Sequence, residues 1–310
     1  MAEIRDVATP APQAPGALRE TIAALARTAS IETSARNLAE IDGYAALVPA
    51  GTDVFVTWLP GTPYHHIVSV AKRLRQVGMN PVPHITPRQL TSREAAEDFL
   101  ARLQAEAQVT RTLLVAGDAP VPVGPYESSL QFLETGLLQR HGIRSLGIAG
   151  YPEGHPRLPE QTLTTALLRK IEYSARYGID LFLVSQFCFD AQAVLEWLAR
   201  LRAQGIALPV RVGVAGPATV RTLLNYGARC GVGASMRALR TQAISLPRLL
   251  AQDGPDRFIR RLADGGAGLG IAGLHCFPFG GFAQSARWLG AVGSGRFRLE
   301  DSVRGFVVET

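Results

Sequence analysis

Two glutamates, an aspartate, three histidines and several neutral hydrogen-bonding side chains stand at the ends of short apolar runs in this chain. Glu32 lies near the end of Ala29–Thr33, Thr57 and Trp58 end the run from Asp53, and His84 and Thr86 close the run from Asn80. Asp118 follows Thr112–Gly117; Tyr151, Glu153 and His155 follow Ser145–Ala149; Gln186 closes Leu181–Phe187, and His275 lies within Gly270–Phe277. If the runs are strands pointing the same way, these side chains converge on one mouth. A carboxylate pair with neutral donors suits acid–base work on a large polar ligand. The cysteines, Cys188, Cys230 and Cys276, are odd in number, far apart and without a CxxC pair. That spacing argues against a disulfide framework and against a structural zinc site, so no metal is expected. Small buried hydrophobes and a catalytic thiol both remain open readings for them.

The elements that must position these residues follow from period and punctuation. The runs above, with Val210–Val214, make eight candidate strands, and amphipathic stretches follow nearly all of them. Pro63–Gln76 places Ile67, Val70, Ala71 and Leu74 at helical spacing; Ser92 and Asp190 stand where helix N-caps belong. Strand–helix alternation demands a parallel sheet with right-handed crossovers. Eight units in about 260 residues match a closed (β/α)8 TIM barrel. No GxGxxG follows the first strand, which speaks against a Rossmann domain. A helix over Ala17–Arg27 precedes the barrel, and extra helices are expected over Gly231–Gly265, between the seventh and eighth strands. Residues 1–16 read as a flexible tail and 17–310 as a single domain.

Composition narrows the class further. With 47% hydrophobic and 19% charged residues the chain can fill a large core. No apolar run reaches the roughly 18 residues of a membrane span, and the first residues lack a secretion signal, so a cytoplasmic protein is expected. The net charge is +6, but the basic residues are scattered and not interleaved with aromatics, which argues against a nucleic-acid partner. A basic field would draw phosphate-bearing cofactors or carboxylate-rich substrates.

Five short strings then appear in order at the strand ends: VTW at Val56–Trp58, PHIT at Pro83–Thr86, Gly117-Asp118-Ala119-Pro120, YPEGHP at Tyr151–Pro156 and SQFCFD at Ser185–Asp190. Together with Ser30-Ile31-Glu32 they resemble the methylenetetrahydrofolate reductases, over residues 28 to 290. The resemblance implies reduction of 5,10-methylenetetrahydrofolate to 5-methyltetrahydrofolate, or the reverse in one-carbon catabolism. NADH or NADPH would supply electrons through bound FAD, and self-association is common in the family. On this reading Glu32 is the acid that protonates the folate's bridging nitrogen, which requires a carboxyl pKa raised by desolvation. Asp118 is the aspartate beside the flavin. Thr57, Trp58, His84, Ala116, Gly117, Tyr151, His155, Arg169 and Lys170 are the cofactor contacts, and Gln186 binds the pterin. From spacing alone, Glu32 could instead belong to the first turn of a following helix, Asp118 to a turn, and Arg169-Lys170 to a solvated helix face.

The chain departs from the family in three places. Ala116 stands where relatives often carry arginine, and Thr33-Ser34-Ala35-Arg36 replaces FFPP after the acid. Gly280-Gly281 stands where an Arg would meet the folate tail; a double glycine there suggests close approach of backbone to a phosphate or carboxylate. Two further readings therefore stay open: a flavin-independent reductase of the same fold, and a folate-binding barrel without turnover.

Overall fold

The computed structural model describes residues 14–117, 119–230, 252–301 and 305–309. Eight parallel strands close a barrel: β1 (Ser30–Ser34), β2 (Asp53–Thr57), β3 (Asn80–Ile85), β4 (Arg111–Leu114), β5 (Ser145–Gly150), β6 (Asp180–Ser185), β7 (Val210–Ala215) and β8 (Ile271–Phe277). Each pairs with the next in sequence, and β8 closes the ring against β1 with Ser30 opposite His275. The (β/α)8 TIM barrel expected from the alternation is the fold.

Helices cover the outside. They are α1 (Pro15–Arg27), α2 (Tyr64–Gln76), α3 (Arg93–Ala107), α4 (Ser129–Glu134), α5 (Leu137–Arg140), α6 (Glu160–Tyr177), α7 (Ala191–Ala203), α8 (Val220–Cys230), α9 (Asp256–Gly265) and α10 (Phe282–Gly293). The apolar face of α2 buries Ile67, Val70, Ala71 and Leu74, the residues whose spacing marked it as a helix. Ser92 caps α3 by accepting from the Ala95 amide at 3.2 Å, and Asp190 caps α7 through the Gln192 amide at 2.9 Å. Of the insertion expected over Gly231–Gly265, α9 is present, while 231–251 lie outside the described residues. No helix among the described residues is long and apolar enough to cross a membrane.

Two elements differ from the sequence expectation. After β1 the chain makes 3₁₀ turns over Ala35–Ala46, not an α-helix. Asn37, Asp42 and Gly43 are poor helix formers, and Ser34 Oγ bonds Asn37 Oδ1 at 3.1 Å, a local alternative to helix. Strand β4 ends at Leu114, three residues before the expected Gly117. Beyond it Arg88 gathers the loop: its backbone amide donates to Ala116 O, and its guanidinium to the carbonyls of Ala119, Pro120 and Glu127. Gly117 turns the chain there with φ +96, where a side chain would be strained.

Strand alternation sorts the interior into layers. The floor is polar: Asp53 accepts from Arg111 at 2.7 Å, from Arg211 at 3.1 Å and from Asn80. Phe55, Val82, Leu113 and Val184 fill the middle. Glu32, Thr57, His84 and His275 lie toward the C-terminal mouth. Outward-facing Ile31, Val54 and Val56 join the larger core under the helices. On that outer side Thr33 Oγ1 meets Tyr44 Oη at 2.8 Å, and the Tyr44 ring stacks on Phe282 at 3.5 Å. These contacts fix the face that β1 turns outward, and so send Glu32 inward.

Candidate active site

Glu32 is the centre of the mouth's polar cluster. Thr57, at the end of the neighbouring strand, donates from Oγ1 to Glu32 Oε2 at 2.9 Å. His275 Nε2 lies 3.2 Å from Oε1, and His84 Nε2 lies 3.4 Å from the same oxygen, out of line for a hydrogen bond. Behind His275, Ser30 Oγ meets Nδ1 at 2.8 Å. The Phe55 ring packs edge-on against His275 with centroids 4.5 Å apart, so the imidazole has no solvent face. Four strands, β8, β1, β2 and β3, thus present one carboxylate and its donors.

The electrostatics differ from the sequence expectation of a raised Glu32 pKa. Burial does push the carboxyl up, but the two imidazole nitrogens pressed on Oε1 outweigh it and hold Glu32 well below the usual carboxylate range. Burial, against the opposing pull of Glu32, holds His275 below the ordinary histidine value. Both directions describe one arrangement: a neutral imidazole donating its Nε2–H to a carboxylate, with the Ser30 hydroxyl donating to Nδ1. The reading of Glu32 as part of a helix's first turn does not hold, because its carboxylate points into the barrel and 3₁₀ turns follow.

The other half of the mouth is a cavity of about 870 Å³ on the β4–β6 side, reaching down between the barrel wall, α6 and α7. Ala116, Gly117, Tyr151, His155 and Lys170 line it, all residues singled out in the sequence. Tyr151 and His155 stand edge to face with centroids 4.9 Å apart. Burial brings the Lys170 ammonium down to about 8, and no described acidic side chain pairs with it. Glu32, Thr57, His84 and Gln186 are not among the lining residues. The cavity and the carboxylate cluster therefore occupy opposite sides of the mouth.

Several predicted contacts are placed differently. Trp58 follows Thr57 by one residue, so alternation turns it out of the barrel; it packs on Phe99, and its indole N–H donates to Thr62 O at 2.8 Å. Arg169 does not join Lys170: it is exposed and paired with Glu134, because adjacent helical residues point about 100° apart. Gln186 spends its Oε1 on the Phe187 amide at 3.1 Å. Asp118 lies outside the described residues. Gly280 is explained by packing and not by an anion, since a Cβ there would sit 2.0 Å from the Pro217 carbonyl oxygen. Gly281, with φ +104, starts α10. Neither described cysteine side chain offers a thiolate: Cys188 and Cys276 are buried, and burial pushes Cys276 up to about 12 and Cys188 well above the usual thiol range.

The sequence brings His275 to the mouth but does not show that it meets Glu32, and it gives the Ser30 hydroxyl no role of its own. The available signal was their in-phase position with Glu32 across the β8–β1 seam, which requires knowing that the barrel closes there. Among the described residues no group of three or more His, Cys, Asp or Glu side chains is arranged to hold a metal ion.

A model of the methylenetetrahydrofolate reductases matches residues 31–232 of the chain. The chain belongs to that family. Methylenetetrahydrofolate reductase 2 of Saccharomyces cerevisiae is 31% identical over 70 residues, which cover 23% of this chain and 11% of the yeast protein. Among solved structures, an uncharacterized protein from Clostridium thermocellum that binds two copies of 5-methyl-5,6,7,8-tetrahydrofolic acid shares the fold at a TM-score of 0.53. It is 12% identical, with 84% of this chain and 92% of that one covered. The family match spans β1 to α8 and so includes Glu32, Thr57, His84, the cavity loops and Gln186; β8 with His275 lies beyond it.

Proposed function

We propose that this chain reduces 5,10-methylenetetrahydrofolate to 5-methyltetrahydrofolate with NADH or NADPH, through bound FAD. The observation that carries the reading is the Glu32 carboxylate, held by Thr57 and His275 at the mouth of a barrel of this family. That a protein of the same fold binds 5-methyl-5,6,7,8-tetrahydrofolic acid supports a folate ligand for this chain.

The cavity fits a dinucleotide. Lys170, a cation with no described acidic partner, lines the cavity where a pyrophosphate would pair with its charge, and the Tyr151–His155 pair offers flat surfaces for an aromatic ring. The backbone at Ala116 and Gly117 lines the cavity with no long side chain in front of it and would let a cofactor come close. FAD, when bound, supplies hydride transfer between the nicotinamide and the folate. The protein's own work is positioning and proton management. Glu32 gives a proton to the folate's bridging nitrogen; the C–N bond pair stays on that nitrogen, and the opened iminium carbon accepts hydride. Thr57 keeps the carboxylate turned to the mouth. In the free protein Glu32 is an anion, so its proton must be acquired before or with the folate. In the reverse direction the same carboxylate is already the base. Asp118 is assigned to the flavin side and Gln186 to the pterin on the strength of the family motif.

Anaerobic mixing with NADH tests this reading, followed by addition of methylenetetrahydrofolate. Bleaching of a flavin spectrum by NADH, its return on folate addition and formation of methyltetrahydrofolate are expected. A colourless protein that still makes the product would instead establish direct hydride transfer. That reading is favoured by Ala116 and by the capture of Arg169 by Glu134, which leave Lys170 as the one cation of the expected pair in the cavity. Folate bound without turnover would establish a binding protein.

A further inference from the structure

On its β3–β4 side the cavity wall is made of backbone, and one side chain holds that backbone in place. Residues 115–128 join β4 to α4 and include Gly117, Gly124, Pro120, Pro122 and Pro125. Proline has no N–H to donate, and glycine constrains the chain least. From Ala119 to Pro125 no residue is buried, and Val121 and Val123 are exposed, so no apolar anchor holds the middle of the loop. The loop nevertheless supplies Ala116, Gly117 and Ala119 to the cavity. Asp118, assigned above to the flavin side, is covalently joined to two of these.

The order comes from Arg88, in the turn after β3. Its amide donates to Ala116 O at 3.2 Å, and its carbonyl accepts from the Val123 amide at 3.0 Å. Its guanidinium donates through Nε to Ala119 O at 2.9 Å, through Nη2 to Pro120 O at 2.8 Å and through Nη1 to Glu127 O at 3.0 Å. Any residue could make the two backbone bonds. The side-chain bonds need a planar fork with several N–H groups in fixed directions, which only arginine has. The turn that carries Arg88 is itself tied down, since Gln89 Nε2 donates to Trp58 O at 3.2 Å and to Thr86 Oγ1 at 3.0 Å. Gly124 lies flat on the same turn: a Cβ there would sit 2.2 Å from Leu90 O and 2.5 Å from Thr91 O.

We propose that Arg88 is a positioning residue for the dinucleotide. By clasping the loop after β4 to the turn after β3, it sets the backbone wall against which the bound cofactor rests. The identity of the ligand rests on the proposed function; the loop's dependence on Arg88 does not. Charge is a separate contribution. Among the described residues no carboxylate pairs with Arg88, so its field favours any anion in the cavity. Lysine at this position keeps that charge and loses the fork.

Three variants separate clasp from charge. Arg88→Met removes both, Arg88→Lys keeps the charge, and Gly124→Ala pushes the loop off the turn with every charge in place. The full chain, freed of bound flavin, is titrated with FAD and followed by flavin fluorescence. Affinity is expected to fall at least about tenfold in Arg88→Met and Gly124→Ala, and at least about fivefold in Arg88→Lys, because a wall that is no longer pre-set must be ordered by the ligand. At saturating FAD the visible circular dichroism of the flavin, which reports how the ring is held, is expected to change in all three. A loop that served stability alone would leave that saturated spectrum at its wild-type shape. Wild-type affinity and spectrum in Arg88→Met would overturn the proposal. Full rescue by Arg88→Lys together with a silent Gly124→Ala would also overturn it, because charge and not position would then be the cause. A colourless wild type that binds NADH but not FAD would overturn the flavin reading alone. The same variants, titrated by nicotinamide fluorescence, then decide the role of Arg88, and undiminished NADH affinity sinks it. A wild type that binds neither dinucleotide overturns both. Should Arg88→Met not fold, Arg88→Lys and Gly124→Ala carry the measurements.

Discussion

Replacing Asp53 by asparagine removes one charge from the barrel floor and leaves the mouth untouched. Asp53 Oδ2 accepts from Arg111 at 2.7 Å and Arg211 at 3.1 Å, while Asn80 donates to Oδ1. An asparagine has one acceptor oxygen, and its amide nitrogen must face either the two guanidiniums or Asn80. Turning that nitrogen toward Asn80 is no escape, because Asn80 Oδ1 already accepts from Arg75 at 3.1 Å. The variant therefore leaves the two guanidiniums without their counter-charge, and in either orientation it strands those cations or the Asn80 donor. Removing one partner of a buried ion pair costs about 3–5 kcal/mol. The side chain of Arg111 is 37% exposed and that of Arg211 20%, so solvent recovers part of the loss. We expect the low end, about 3 kcal/mol. For a chain of this size that is a fall in Tm of roughly 6–12 °C at about 2–4 °C per kcal/mol. Calorimetry or thermal circular dichroism checks it, with cofactor absent so that ligand binding does not mask the change. A loss below about 2 °C would show that the floor carries no net electrostatic stabilisation and that the layer assignment is wrong.

Other consequences can be measured alongside. Glu32→Gln is expected to cut folate reduction by on the order of 10²–10⁴, the usual worth of a positioned acid, while NAD(P)H oxidation by an artificial acceptor falls far less; equal losses would remove Glu32 from the proton step. Its depressed pKa also makes Glu32 a source of stability above its ordinary value of 4.5, lost as pH falls toward its folded value. The acid unfolding of Glu32→Gln should accordingly be less steep. Lys170, about 8 in the folded chain against 10.5 ordinarily, is expected to hold its proton more tightly when a pyrophosphate binds. Affinity for FAD should decline as pH rises through about 8, and Lys170→Met should weaken binding about tenfold or more without lowering Tm. A pH-independent affinity would place the phosphates elsewhere. Gly280→Ala must move the Pro217 backbone, a strain of about 1–3 kcal/mol seen as a lower Tm; an unchanged Tm would mean that the loop after β7 yields freely.

Much of the site could be read without coordinates, for a local reason. Strand ends, cap residues and motif order are properties of short stretches, so the placement of Glu32, Thr57, His84 and the Tyr151–His155 loop around the mouth follows from position. The VTW string suggests an inward Trp58, but two-residue alternation after Thr57 turns it outward. Arg169 and Lys170 look like a pair in the sequence, but a helix separates neighbouring residues around its axis. Gly280 looked like a ligand contact because the carbonyl it accommodates, that of Pro217, is 63 residues away.

The sequence by itself determined the barrel and put Glu32 at its mouth. Alternating strands and helices leave few ways to bury both faces of a parallel sheet, and the strand ends then share one side. Tertiary structure alone decided the charge on Glu32. Its pKa direction depends on His275, which lies 243 residues away and reaches Oε1 only because β8 closes on β1 with Ser30 opposite it. Desolvation, visible in principle from a buried strand position, argued for a protonated carboxyl. Two imidazoles brought to one oxygen by ring closure reversed it, since hydrogen bonding and charge at about 3 Å outweigh burial at that distance.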